Sequence, residues 1–344
     1  MFPVGFYLSY LRDFANQTTH TSNQTSSDQS TTAIIGGLNY ISRDLTIYIF
    51  FIVGLFVASL TAIFGNLLII VTILLNKSLR SLNGIITINL SVADFLIGLL
   101  VNSFNLVGIF GSERFFADRK PLCTIIGFAC LVFCGTSLSS IVLLALNRLL
   151  KICYSNEIYT KVFTCKKTLV YCFLSWCAGI VLGSFNLFGV GGYTFDRKVL
   201  SCMTNRIASH SHFVYIYVIG FVFTPCLFIL FSYLKIFLYV HNISKQSKTL
   251  DNSLNRSYEL AKSLFASFIT FFVCWIPFGI IYIIDGQDIL PRAAILITIL
   301  FAHLNSSVNF IYYGYFSVQY RRAYLKFLHR PRTTFYSGSA SRTL

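Results

Sequence analysis

The sequence predicts an all-α membrane protein, a bundle of seven transmembrane helices followed by a short amphipathic eighth helix. Three observations carry this. Only 11% of the 344 residues are charged and 55% are hydrophobic, whereas a soluble domain carries about 25% charged residues; the mean hydropathy is +0.69. So few charges cannot clothe soluble domains, which excludes a water-soluble globular enzyme. Second, the chain contains seven long intervals that are almost free of charge, each longer than the roughly 20 apolar residues that cross a bilayer as helix. Third, the basic residues are concentrated in alternate connections.

Residues 1–44 come first. They are rich in Ser, Thr, Asn and Gln and read as a disordered extracellular segment, with glycosylation acceptors at Asn16 and Asn23. Met1 to Tyr10 has no basic start followed by an apolar core and cleavage site, so the first span is expected to direct insertion itself. The bundle occupies 45–314. Its charge-free intervals are Leu45 to Asn76, Pro121 to Asn147, Thr168 to Phe195, Ile207 to Leu234, Ser263 to Ile284 and Ala293 to Tyr320, and Ser81 to Ser112 holds the single acid Asp94. Residues 315–344 form the cytoplasmic end. Phe316 to Leu328, with Arg321, Arg322 and Lys326, reads as an amphipathic helix on the inner leaflet.

Orientation follows from charge. The connections after the first, third and fifth spans, with the tail, hold 18 Lys and Arg against Glu157, Asp251 and Glu259, while the opposite set holds 9 against 8 acids. Lys and Arg gather in cytoplasmic loops, so the amino terminus is expected outside and the tail inside. An excess confined to membrane-flanking loops points to anionic lipid and an intracellular partner rather than to nucleic acid.

Ten cysteines occur. Eight lie in spans or on the reducing side, where thiols serve as packing residues. The outward-facing pair is Cys123, at the outer end of the third span, and Cys202, in the loop before the fifth; a disulfide between them would tie that loop across the extracellular mouth. No metal-ligand cluster, P-loop or nucleophile elbow is present, so no catalytic residues are expected.

A charge at mid-bilayer is costly and marks function. Asp94 needs partners, and Asn66, Ser137, Asn305, Ser306 and Asn309 stand on other spans. Asn305 and Asn309 are four apart and share a helix face. Carboxylate, hydroxyl and amide oxygens together suit a small hard cation such as sodium, the one ion expected and the only cofactor-like group; the alternative is a protonated Asp94 in a hydrated amide network.

These residues resemble a family. Gly65-Asn66, Leu90-Ser91-Val92-Ala93-Asp94, Asn147-Arg148-Leu149, Trp176, Pro225 with Tyr233, Cys274-Trp275-Ile276-Pro277 and Asn309-Phe310-Ile311-Tyr312-Tyr313 look like the signatures of rhodopsin-like G-protein-coupled receptors, one set per span and in order. The resemblance covers about residues 45 to 330. It implies a plasma-membrane receptor that binds an extracellular small molecule or peptide and activates a heterotrimeric G protein. Arg148 would be the switch arginine that engages G protein, or Tyr233 and Tyr313, in the active state. Asn147 stands where the family has an acid, so the acidic lock is missing and basal signalling is expected to rise. Phe310 replaces the usual Pro, which puts the inward kink of the seventh helix in question. Trp275 would be the toggle beneath the pocket, with Phe271, Leu138 and Pro225 below it and Pro277 as the hinge of the sixth helix.

Ligand class is read from departures. Cys130 occupies the position of the amine receptors' counter-ion, and His303 that of the opsins' lysine. Within the family the chain looks most like melatonin receptors and their orphan relatives, on Lys151-Ile152-Cys153-Tyr154-Ser155 with Tyr159, Asn186, Asn305-Ser306-Ser307-Val308-Asn309 and Tyr320-Arg321-Arg322-Ala323-Tyr324. Coupling to an inhibitory G protein is implied by that resemblance. Asn186 would correspond to the amide holding melatonin's methoxy oxygen. Thr204, Arg206 and Phe221 replace its stacking Phe, amide-binding Gln and fifth-helix His. The expected pocket is Cys130, Cys134, Asn186, Thr204, Arg206, Phe221, Trp275, Phe278, Tyr282 and His303. Arg206 and Arg292 at the mouth support an alternative, a receptor for a peptide or small acid, and a constitutively active orphan receptor is another. A transporter would show internal repeats and several buried ionisable groups, and a structural protein would not need the switch residues.

Overall fold

The computed structural model describes residues 27–188, 192–196, 198–205, 216–246, 252–285 and 289–328. Asn16, Asn23 and Arg206 lie outside them. The chain divides into two compact units, Met1–Ile49 and Phe50–Leu344, and the bundle described below belongs to the second.

Seven helices are long and apolar enough to cross a membrane: Leu45–Leu75, Leu82–Phe110, Lys120–Cys153, Cys165–Leu187, Gly220–Ile243, Leu264–Tyr282 and Arg292–Phe316. They are called the first to seventh spans. Each falls on one of the charge-poor intervals. Their apolar faces remain exposed, Phe64, Phe173 and Leu227 among them, because lipid replaces the protein core on that side. The third span is the centre, packed on the second, fourth, fifth and sixth. Close approach to the fourth needs a glycine: a Cβ on Gly179 would lie 2.6 Å from the Val132 carbonyl oxygen. Trp176 Nε1 donates to Asn89 Oδ1 (2.9 Å), and Asn89 Nδ2 donates to Ser140 (2.8 Å) and Ser175 (3.0 Å), joining the second, third and fourth spans.

Helix boundaries follow local chemistry. Ser81, Ser155 and Thr164 are extended residues whose side chains accept from the backbone N–H three residues on, so each starts a helix at the inner membrane face. The short helix Asn156–Val162 lies between the third and fourth spans. Two spans contain a wider π turn, Ile97–Asn102 in the second and Ile216–Phe223 at the outer end of the fifth. Pro277 lies inside the helix Asn252–Ile284, where it removes one backbone hydrogen bond.

Helical backbone is assigned to Ser27–Leu75, and the first 26 residues of the segment read as extracellular lie outside the described residues. At the other end the seventh helix stops at Phe316, Ser317 adopts an extended conformation, and the eighth helix runs Val318–Leu328. Its inner face is pinned by stacking: Tyr313 on Tyr320 at 4.8 Å and Tyr320 edge-on to Tyr324 at 6.1 Å.

Between the fourth and fifth spans the chain forms an antiparallel hairpin of β1 (Tyr193–Asp196) and β2 (Ser201–Thr204). Asp196 Oδ1 accepts from the backbone N–H of Lys198 and Val199 and shapes the turn. The Cys123–Cys202 disulfide ties β2 to the third span, as the cysteine placement predicted.

Candidate functional site

The hairpin roofs a cavity of about 90 Å³ among the third, fifth, sixth and seventh spans. Seven of the expected residues line it: Cys130, Cys134, Thr204, Trp275, Phe278, Tyr282 and His303. Phe221 instead lines a second, smaller space below, with Leu138, Phe271 and Trp275. Asn186 does not reach the cavity. It is buried at the end of the fourth span beside the Tyr193 hydroxyl, which donates to the Gly183 carbonyl at 2.8 Å. Neither amide atom of Asn186 has a partner within hydrogen-bond distance.

The cavity is apolar with a few polar groups. No Lys, Arg, Asp or Glu lines it among the described residues. Thr204 Oγ1 hydrogen-bonds the Tyr282 hydroxyl, which also lies 3.3 Å from the Thr204 carbonyl oxygen. His303 Nε2 is 3.4 Å from Asn105 Nδ2, and Asn105 Oδ1 accepts from Ser201 Oγ at 2.6 Å. A polar chain thus runs from the roof through the second span to the seventh. Trp275 stacks on Phe271 (5.9 Å) and meets Phe278 edge-on (6.2 Å). Its indole N–H is buried without an acceptor.

Outside the cavity wall, Lys198 Nζ makes a 2.7 Å ion pair with Asp285 Oδ2; the Asp285 side chain is 0% exposed and Lys198 13%. Asp285 Oδ1 also accepts from Leu290 N–H at 2.7 Å. This pair fastens the hairpin turn to the outer end of the sixth span. It carries no periodic or motif signal, and only opposite charges in two neighbouring loops hinted at it. Asn105 and Tyr193 were missed for the same reason. Burial pushes the Tyr193 phenol above the usual tyrosine range, so it stays a neutral donor.

Deeper in, Asp94 is fully buried. Ser137 Oγ donates to Asp94 Oδ1 (2.9 Å) and Asn309 Nδ2 to Oδ2 (2.7 Å), and Ser306 lies within its reach. Asn66 Nδ2 donates to the carbonyl oxygens of Ala62 (2.8 Å) and Ser306 (2.9 Å). Asn305 is buried on the same span as Asn309. Ser137, Ser306 and Asn309 therefore gather at Asp94, and Asn66 joins them through the Ser306 carbonyl.

At the inner end Arg148 is buried, as are Tyr233, Tyr313 and Tyr320. Its Nε donates to Asn83 Oδ1 at 3.1 Å. Asn147 turns elsewhere and donates to the Tyr159 hydroxyl at 3.3 Å. The hydroxyls of Tyr233 and Tyr313 have no partner. Phe310 lies against Gly65 so closely that a Cβ there would collide with the ring, and the seventh helix continues through it to Phe316.

Comparison with known proteins agrees with this arrangement. The family described as 7 transmembrane receptor (rhodopsin family) matches residues 65–313. Melatonin receptor type 1B-B of Danio rerio is 28% identical over 274 residues, covering 77% of this chain and 78% of the relative. Melatonin receptor type 1C of Gallus gallus is 28% identical over 287 residues, covering 81% and 82%. The crystal structure of squid rhodopsin superposes with a TM-score of 0.69 at 19% identity, covering 81% of this chain and 84% of that one.

Proposed function

Because the chain belongs to the rhodopsin family of seven-transmembrane receptors, and is a G-protein-coupled plasma-membrane receptor and no enzyme, we propose that its ligand is a small, neutral, largely apolar molecule of melatonin-like character. One observation carries this reading: among the described residues the wall of the cavity above Trp275 has no Lys, Arg, Asp or Glu side chain, and its polar side chains are hydroxyl, imidazole, thiol and indole groups. A charged ligand would lose its hydration there without a counter-ion. A neutral aromatic with one or two acceptors would place apolar surface against Phe278 and Ile299 and an acceptor toward the free Trp275 N–H. That favours a small neutral ligand over the peptide or acid that Arg206 and Arg292 suggested.

The mechanism is a population shift. A ligand that binds better when the Trp275 ring has moved favours the state in which the sixth span swings about Pro277. The swing opens the inner face around Arg148, whose guanidinium exchanges Asn83 for carbonyl groups of a heterotrimeric G protein of the inhibitory type. The amino terminus, with Asn16 and Asn23 glycosylated, faces outward and the tail inward, following the basic connections. At Asp94 the donor set fits sodium: a buried carboxylate, the hydroxyls of Ser137 and Ser306, and amide oxygens, with Asn66 Oδ1 and Ser91 Oγ unpartnered. Sodium held by these oxygens would supply positive charge to balance the Asp94 carboxylate.

The test is cAMP in cells expressing the receptor, with and without nanomolar melatonin, beside His303→Ala and Asn186→Ala. A fall in stimulated cAMP that His303→Ala removes supports the reading. No response from receptor shown to be at the surface discards melatonin.

A further inference from the structure

One imidazole stands in the cavity wall, and the hydrogen bonds around it decide which of its two nitrogens carries the proton. His303 lines the cavity and is 9% exposed. Its Nε2 lies 3.4 Å from Asn105 Nδ2, the one hydrogen bond the ring makes among the described residues. Nδ1 is left for whatever fills the cavity.

The place of the proton follows from the far side of Asn105. There Ser201 Oγ lies 2.6 Å from the other amide atom. N–H···O bonds run about 2.7–3.2 Å and O–H···O bonds about 2.5–3.0 Å, so the atom facing Ser201 is the amide oxygen, and the serine hydroxyl donates to it. The amide nitrogen therefore faces His303. An amide NH2 group donates and cannot accept, so Nε2 has to be the bare, accepting nitrogen of the ring. A neutral imidazole carries a single N–H, which places the proton on Nδ1. Asn105 and Ser201 are themselves buried, where an amide or hydroxyl left unpaired is costly. Turning the amide over would shorten an N–H···O bond to 2.6 Å and reverse the ring. Ser201 is held in turn by its neighbour Cys202, whose disulfide fixes β2 to the third span.

We propose that Asn105 is a positioning residue that keeps the His303 proton on Nδ1, so that the seventh-span side of the cavity presents a hydrogen-bond donor. The site then selects a ligand with an acceptor at that point, a carbonyl oxygen, an ether oxygen or a ring nitrogen, over one of the same shape that presents a donor or nothing. Asn105 does not line the cavity and acts through His303. The Tyr282 hydroxyl is engaged by Thr204, and the unspent indole N–H of Trp275 is a second donor. A ligand with two acceptors meets both. This selectivity rests on the reading that a small neutral molecule fills the cavity, but the position of the proton does not depend on which molecule it is.

The test is 15N solid-state NMR of full-length receptor labelled at histidine. His303 is one of six histidines, and its signals are assigned by their loss in His303→Gln. The expected spectrum has a protonated Nδ1 and a bare Nε2. In Asn105→Asp the carboxylate can only accept, so Nε2 acquires a proton; in the milder Ser201→Ala, which frees the amide to turn over, both tautomers appear. Circular dichroism confirms that each variant is folded. The probe for selection is quinoline, a neutral ring with one acceptor nitrogen, set against naphthalene, which has the same shape without it. Quinoline should shift the Nδ1 resonance of wild type and naphthalene should not. A wild-type ring protonated on Nε2, or an unaltered Nε2 in folded Asn105→Asp, overturns the positioning role of Asn105. Equal responses to the two probes, or none to quinoline, overturn the selection. Failure of melatonin to signal alters none of these readings.

Discussion

The two ends of the bundle are held in opposite ways. At the outer end one hairpin is fastened to four spans. A disulfide joins it to the third, Ser201 to Asn105 of the second, Tyr193 to the fourth, and Tyr282 with the Lys198–Asp285 pair to the sixth. At the inner end the guanidinium of Arg148 has one neutral acceptor among the described residues, Asn83, and the hydroxyls of Tyr233 and Tyr313 are unspent. The difference teaches where movement can occur. A body clamped at one end and loosely held at the other pivots, and Pro277 lies between the two. Spare donors and acceptors on the loose side are what a partner needs to hold an alternative arrangement.

The strongest way to break this contrast is to cut the outer clamp. Cys202→Ser opens a covalent loop of 79 residues, for which chain entropy alone gives about 4.5 kcal/mol of lost stability. Thermal unfolding in detergent should show a large fall in melting temperature, and an unchanged value would deny the hairpin its bracing role. Next is Lys198→Met. It removes the cation paired with the buried Asp285 carboxylate and is expected to cost about 3 kcal/mol. Adding Asp285→Asn should return much of that loss in a double-mutant cycle, whereas simple additivity would mean that the two groups do not interact.

Gly65→Val tests packing toward the inner half. The added branch meets the Phe310 ring, and overpacking of this kind costs about 1–3 kcal/mol. Phe310→Ala in the same chain should recover stability, read again as a melting temperature. The smallest change in stability, with the clearest change in signalling, is expected at Asn83. Asn83→Asp replaces the neutral acceptor of Arg148 by a carboxylate, turning the hydrogen bond into an ion pair. Basal cAMP suppression should fall by several-fold, and Asn83→Ala should raise it. Equal basal signalling in all three would show that Asn83 does not restrain Arg148.

The spans were legible because lipid imposes a coarse rule, about 20 residues without charge, and this chain obeys it in every interval but the one that holds Asp94. The polar cluster at Asp94 was legible for the converse reason, since each exception inside a span is expensive. The disulfide could be inferred because only two cysteines were expected on the oxidising side. What escaped was contact between segments that share no periodicity. Lys198 and Asp285 are separated by 87 residues and sit in loops where composition is permissive. Asn83 looked like any helix-start residue, and nothing in the sequence pattern marks the π turns. Asn186 was correctly placed at a helix end, but which way its side chain faces depends on Tyr193, which lies in the hairpin.

The contact between Phe310 and Gly65 has a consequence for inheritance. A ring on one helix seated in a notch on another behaves as a key in a lock, so neither position is free to vary alone: a larger residue at 65 jams it, and a smaller one at 310 leaves the notch hollow. Descendants that keep Phe310 should therefore keep glycine at 65.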